Sequence, residues 1–182
     1  MPTFLNRLRH VQLDRANLIF GGMTVVAGTV ATLFGGWLGD RLLRRTPAAY
    51  QLLSAVGMTL SIPAVIAAIY LQPPAMYPAI FLAEFFLLVN TAPLNAALVN
   101  SVSARIRATA LAVNIFVIHL LGDAFSPTLI GWISDRSNLE VGLASMIVAV
   151  GLSATVLFYG MRFAPLLHLH DEKQRKPAEA SA

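Results

Sequence analysis

Three ionisable side chains stand in runs of residues that otherwise prefer lipid to water. His119 and Asp123 occur in V-I-H-L-L-G-D-A-F-S-P-T-L-I-G-W-I-S-D-R, Val117 to Arg136, and Glu84 occurs in Y-P-A-I-F-L-A-E-F-F-L-L-V-N, Tyr77 to Asn90. A spacing of four puts His119 and Asp123 on one face of a helix, where the imidazole can bond the carboxylate. Such a pair suits a packing bond between helices, a coupling-ion or substrate contact, or a gate contact. Glu84 suits either a neutral bond to an adjacent helix or a proton held in the dry state and released when a cavity opens to water. Asn90, Asn95, Asn100 and Asn114 either line a cavity or bridge helices.

The chemistry these residues exclude is as informative. No cysteine is present among the 182 residues, so disulfides, thiolate metal sites and a cysteine nucleophile are ruled out. No further cluster of histidines or acids stands where a membrane hydrolase would meet water and headgroup together, which argues against a general base pair working on a lipid. The expectation is no catalytic residue, no metal and no cofactor.

The elements that hold these groups are membrane helices. Hydrophobic residues make up 57% of the chain and charged residues 12%, with a mean hydropathy of +0.68, outside the range of soluble domains. A hydrocarbon core of about 30 Å, at about 1.5 Å per helical residue, requires stretches of about 20 apolar residues. Five such stretches are expected: Asn17 to Gly39, Ala48 to Leu71, Met76 to Val102, Ala108 to Ser134 and Glu140 to Phe163. The fold class is therefore an all-α polytopic bundle, with a membrane domain over residues 17–165. Residues 1–16 form an outer segment, without the apolar run of a cleavable signal. Residues 166–182, charged and then Ala-rich, form a disordered tail.

Charge sets the orientation. Nine of the 13 cationic side chains fall on one set of span ends: Arg41, Arg44, Arg45, Arg105, Arg107, Arg162, Lys173, Arg175 and Lys176. Loops rich in Lys and Arg stay in the cytoplasm, which places the C-terminus inside and the N-terminus outside a plasma (inner) membrane. Membrane topology thus accounts for a pI near 10.0, and no nucleic-acid partner is implied. Asp123 then lies near the midplane with His119 one turn below it. An ionisable group there costs about 2.5 kcal/mol or more on insertion scales, so it must face protein or a water-filled cavity.

After the first span comes G-W-L-G-D-R-L-L-R-R, Gly36 to Arg45. Its physics is that of a tight turn in which Asp40 can bond the free N–H groups of the next helix start while Arg41, Arg44 and Arg45 hold the anionic leaflet. The pattern G-x-x-x-D-R-x-x-R-R resembles the signature loop of the major facilitator superfamily. M-P-T-F-L-N-R-L at Met1 to Leu8 and the run from His119 to Arg136 resemble the end of helix seven and helix eleven of its spinster-like branch. Leu43 departs from the fullest form of the loop, which has a glycine there. The resemblance implies that the five spans are helices eight to twelve, half of a twelve-helix fold whose first half is missing from this chain. It further implies a transporter of lipids or other amphiphilic small molecules working by alternating access, with the substrate shared between the halves. A non-transporting membrane remnant is the other reading.

Small residues at spacing four, Gly28, Thr32 and Gly36, and Gly35 with Gly39, permit close helix approach. Pro93 and Pro127 mark kinks. G-W-L-G-D-R and G-W-I-S-D-R, from Gly36 and Gly131, look like a repeat of local rather than functional origin: a small residue, an interfacial Trp, then an acid and an Arg ending the span.

Overall fold

A computed structural model describes residues 2–9, 11–123 and 125–164; the tail at 166–182 lies outside them. Among the described residues, five helical stretches are long and apolar enough to cross a membrane: Leu13–Leu43, Ala49–Tyr70, Met76–Asn100, Ala104–Arg136 and Leu139–Phe163. These match the expected spans to within a few residues. The chain is an all-α polytopic membrane protein, and among the described residues there is no strand.

The elements are α1 (Pro2–Arg9), α2 (Leu13–Leu43), α3 (Ala49–Tyr70), α4 (Met76–Leu88), α5 (Thr91–Asn100), α6 (Arg107–Val117), a π turn (Ile118–Asp123), α7 (Phe125–Arg136), α8 (Leu139–Ala144) and α9 (Met146–Gly160). Helix α3 packs on α4 and α9, α4 also packs on α2, and α7 packs on α8. Buried positions of α2 are small, Ala16, Ala27, Ala31, Gly35 and Gly39, whereas Leu18, Val25, Val26 and Leu33 are exposed. This inverts the soluble pattern, because lipid is as good a solvent for Leu as the interior is, and helices associate by close backbone approach instead.

Two spans are broken where proline removes a donor. Pro93, buried in α5, cannot bond the carbonyl of Val89, and the Met76–Asn100 span turns at Val89–Asn90. The freed Val89 carbonyl is pressed against α2, where a Cβ on Gly35 would collide with it. The Val89 side chain fills the opposite gap, since a Cβ on Gly57 of α3 would lie 2.5 Å from Val89 Cγ1. Val89 is thus a wedge between two glycines. Pro127 acts similarly on Asp123, and the ladder before it relaxes into the π turn.

Within the expected outer segment, α1 packs onto the helix core. Phe4 and Leu5 of α1 are fully buried against Ala16, Ile69, Met76 and Ile80. Arg9 donates to the carbonyl of Ile69 at 2.8 Å, satisfying the C-terminal end of α3, and stacks on Phe4. Asn138 caps α8 by accepting from the Val141 N–H at 2.8 Å, and a Cβ on Gly142 would lie 2.9 Å from the Ile130 carbonyl oxygen, so α7 and α8 form a tight hairpin.

The wedge is testable by thermal unfolding in detergent. Gly35→Ala should lose about 1–3 kcal/mol, the cost of overpacking a filled site. Gly22→Ala, whose Cβ would meet nothing within 4 Å, should be neutral.

Candidate functional site

Four elements close around a cavity of about 560 Å³ at the end of the bundle where α3 ends and α4 begins: α1, α4, α7 and α8, with floor residues from α2, α3 and α9. Its walls are apolar, among them Phe4, Phe20, Ile80, Ala83, Ile130 and Leu143. Charge enters from Arg7 of α1, Glu84 of α4 and Asp135 of α7. Each reaches the cavity for a local reason. The buried Phe4 anchors α1 and leaves Arg7, one turn on, at the wall. Asp135 lies at the end of α7, and Glu84 lies eight residues into α4, about 12 Å along the axis. Pro127 and Gly131, one turn apart on α7, give that wall its low profile.

Glu84 is held from one side. Thr24 Oγ1 of α2 lies 2.7 Å from Glu84 Oε1 and 2.9 Å from the Phe20 carbonyl oxygen, while Glu84 Oε2 is buried with no partner. An apolar cavity with two carboxyls and one guanidinium in its wall can house an alkyl body and discriminate by charge.

The other expected site residues are dispersed. His119 is exposed, on the π turn, and does not line this cavity; the Asp123 side chain lies outside the described residues, so their pairing does too. Asn90 is buried and donates to the carbonyl of Leu87 at 2.9 Å within its own helix turn, Asn95 is exposed, and Asn114 borders a separate open hollow of about 520 Å³ with Leu98, Ile106 and Val117. Of the described acids and amides expected at a cavity, the structure brings Glu84 to this one. Thr24, Arg7 and Asp135 were not singled out from sequence. Asp135 and Arg7 carry no signal beyond charge at a span end, and Thr24 looks like any hydroxyl inside a helix.

The signature loop lies at the opposite end. Trp37, Asp40, Arg41, Arg44 and Arg45 line a hollow of about 370 Å³, and Gly36 packs at 3.4 Å, measured from its would-be Cβ, against Ala92. Asp40 does not bond the N–H groups of the next helix start. It accepts from the Tyr50 hydroxyl at 2.8 Å, because Gly39 lets the Tyr50 ring lie on α2, where a Cβ would approach Tyr50 Cδ1 to 3.0 Å. The N-cap of α3, Ala48, takes no side-chain cap, and its own N–H is 3.4 Å from Thr46 Oγ1. Leu43 ends α2, and Arg44 is right-handed at φ −67°, so no left-handed turn exists at the departure from the motif.

The two G-W repeats share one device. Arg41 stacks over Trp37 at 5.7 Å and Arg136 over Trp132 at 4.0 Å, each pair one helical turn apart at a span end.

No family model matches the chain. Among known proteins, spinster homolog 3 of Danio rerio is 42% identical over 148 residues, covering 74% of this chain and 30% of its own length. Spinster homolog 1 of Xenopus tropicalis is 36% identical over 198 aligned residues, covering 98% of this chain and 38% of its own. The chain belongs to the spinster family. It does so as a stretch about a third the length of those relatives, within the facilitator superfamily that its loop motif resembles. A further spinster relative, named a sphingosine-1-phosphate transporter in Xenopus tropicalis, is 39% identical over 149 residues, covering 74% of this chain and 29% of its own length.

The Tyr50–Asp40 bond predicts a double-mutant cycle. Tyr50→Phe should cost about 1.5–3 kcal/mol in unfolding, the range for a hydrogen bond to a charged group. Asp40→Asn added to Tyr50→Phe should cost clearly less than Asp40→Asn alone, since the bond is already gone.

Proposed function

We propose that this spinster-family chain is the C-terminal part of a secondary active transporter of the facilitator type, moving a lipid-like or other small amphiphilic molecule by alternating access. The observation that carries the reading is the largely apolar cavity lined by Glu84, in a chain two of whose relatives are named for transport of sphingolipid-type molecules rather than for catalysis. A lipid-like substrate needs apolar walls for its chain and few charges to orient it, and this cavity offers that balance.

Glu84 serves as the coupling carboxyl, and His119 and Asp123 are further candidates for coupling or substrate contact, with the substrate shared with an N-terminal half that the chain does not contain. The bilayer and the shared substrate are its partners. The C-terminal end faces the cytoplasm and the membrane is the plasma (inner) membrane. Supporting this orientation, the turns joining α2 to α3 and α5 to α6, and the end of α9, put Arg41, Arg44, Arg45, Arg105, Arg107 and Arg162 at one end of the bundle.

A chimera tests the reading. This chain, replacing the matching segment of the Danio spinster relative, should support flux of a single-chain sphingolipid into proteoliposomes under a pH gradient, while the chain by itself should support none. Glu84→Gln in the chimera should reduce gradient-driven flux at least tenfold while leaving gradient-independent exchange intact. Unaltered driven flux removes Glu84 from coupling, and flux from the five-span chain alone overturns its role as one half of a transporter.

A further inference from the structure

A threonine hydroxyl carries one proton, and Thr24 has two acceptor positions within its reach. Oγ1 lies 2.9 Å from the carbonyl oxygen of Phe20, one turn back in α2, and 2.7 Å from Glu84 Oε1 in α4. If Glu84 is ionised, both neighbours only accept, so one of these two short contacts has no proton in it. The negative charge would also be shared by Oε2, which is buried and has no partner. If Glu84 is neutral, both short contacts of Thr24 Oγ1 contain a proton. The Glu84 Oε1–H donates to Thr24 Oγ1, the Thr24 hydroxyl donates to the Phe20 carbonyl, and Oε2 remains an uncharged oxygen.

We infer that Thr24 and Glu84 together form a proton-binding site joining α2 to α4, in which the bound proton lies in a hydrogen bond from Glu84 to Thr24 and its release turns the Thr24 hydroxyl from Phe20 to Glu84. The step balances without a co-reactant. The Oε1–H bond breaks, its electron pair stays on the carboxylate, and the proton leaves to water in the adjoining cavity. The Thr24 hydroxyl then rotates to donate to Oε1. Phe20 can give up that bond because its carbonyl stands inside α2 and keeps its place in the helix ladder. Thr24 is the positioning residue: only a side chain that both donates and accepts serves the two states.

The surroundings fit a site that gains and loses one proton. On the cavity it borders, the other charged groups among the described residues are Arg7 from α1 and Asp135 from α7. The walls from α2, α3, α8 and α9 present Phe20, Val65, Ala68, Leu139, Leu143 and Met146, none of which titrates. Phe20 itself lines the cavity, so the hydroxyl rotation takes place at its edge.

The inference deepens the coupling role proposed for Glu84 but stands on the hydrogen bonds, and its test requires no transport. Infrared spectra of the purified chain in lipid nanodiscs at neutral pH should contain the carbonyl stretch of a protonated carboxylic acid. Glu84→Gln should delete that band. Thr24→Val should move it to higher frequency by removing the hydrogen bond, and Thr24→Ser should keep it in place. Circular dichroism of each variant checks that the helices remain. A spectrum with no such band attributable to Glu84, or a band unmoved by Thr24→Val in a protein of unchanged helicity, overturns the site.

Discussion

Backbone carbonyls in a bilayer have no water to turn to, and the carbonyl of Val89 is the one on which this bundle depends. Pro93 takes away its helical donor, so the chain turns at Val89–Asn90, and the residue is driven between Gly35 of α2 and Gly57 of α3. Any larger residue at either glycine would hold α4 away from the pair. The wedge therefore sets how closely three helices meet. Glu84 is five residues before Val89 on α4 and Thr24 is eleven before Gly35 on α2, so the same contact brings carboxyl and hydroxyl together. A packing constraint at one level of the membrane thus becomes a polar contact at another.

Polar groups elsewhere follow an economy suited to lipid. Hydroxyls inside helices turn back on their own turn: Ser54 to the Tyr50 carbonyl, Thr59 to Ala55 and Ser61 to Met58. Asn90 does likewise with Leu87, which is why an amide that looks like cavity lining is spent locally. Arginines at span ends lie over rings, with Trp37, Trp132 and Tyr159 each carrying one. The stacking keeps a guanidinium at the interface, where its charge remains hydrated. Glu84 departs from this economy, because it reaches across to another helix and leaves one oxygen unanswered.

The spans were legible because their signal is bulk hydropathy over a membrane-sized window, a sum insensitive to which neighbour each residue meets. The family was legible because loop and helix-eleven motifs are local strings. Facing was not legible. The lipid side of α2 is as apolar as its buried side, so the sequence has no strong helical period to read, and the role of α1 in the core could not be seen in a segment ending N-R-L-R-H. The π turn was hidden for a related reason: Pro127 announces a disturbed ladder, but whether it kinks or relaxes into a wider turn depends on what the neighbouring helices allow.

Composition and local order by themselves determined that this chain lives in a membrane, how many times it crosses, where its charges end the spans and which family it belongs to. Each of these is a property of a segment and needs no partner. Tertiary structure decided that Glu84 lines a cavity with Thr24 as its partner, that Asp40 takes a tyrosine hydroxyl rather than a helix start, and that two glycines hold Val89. Those outcomes depend on helices far apart in sequence meeting in one register. In lipid that register is chosen by the fit of small residues and freed carbonyls, not by a hydrophobic face that the sequence would display.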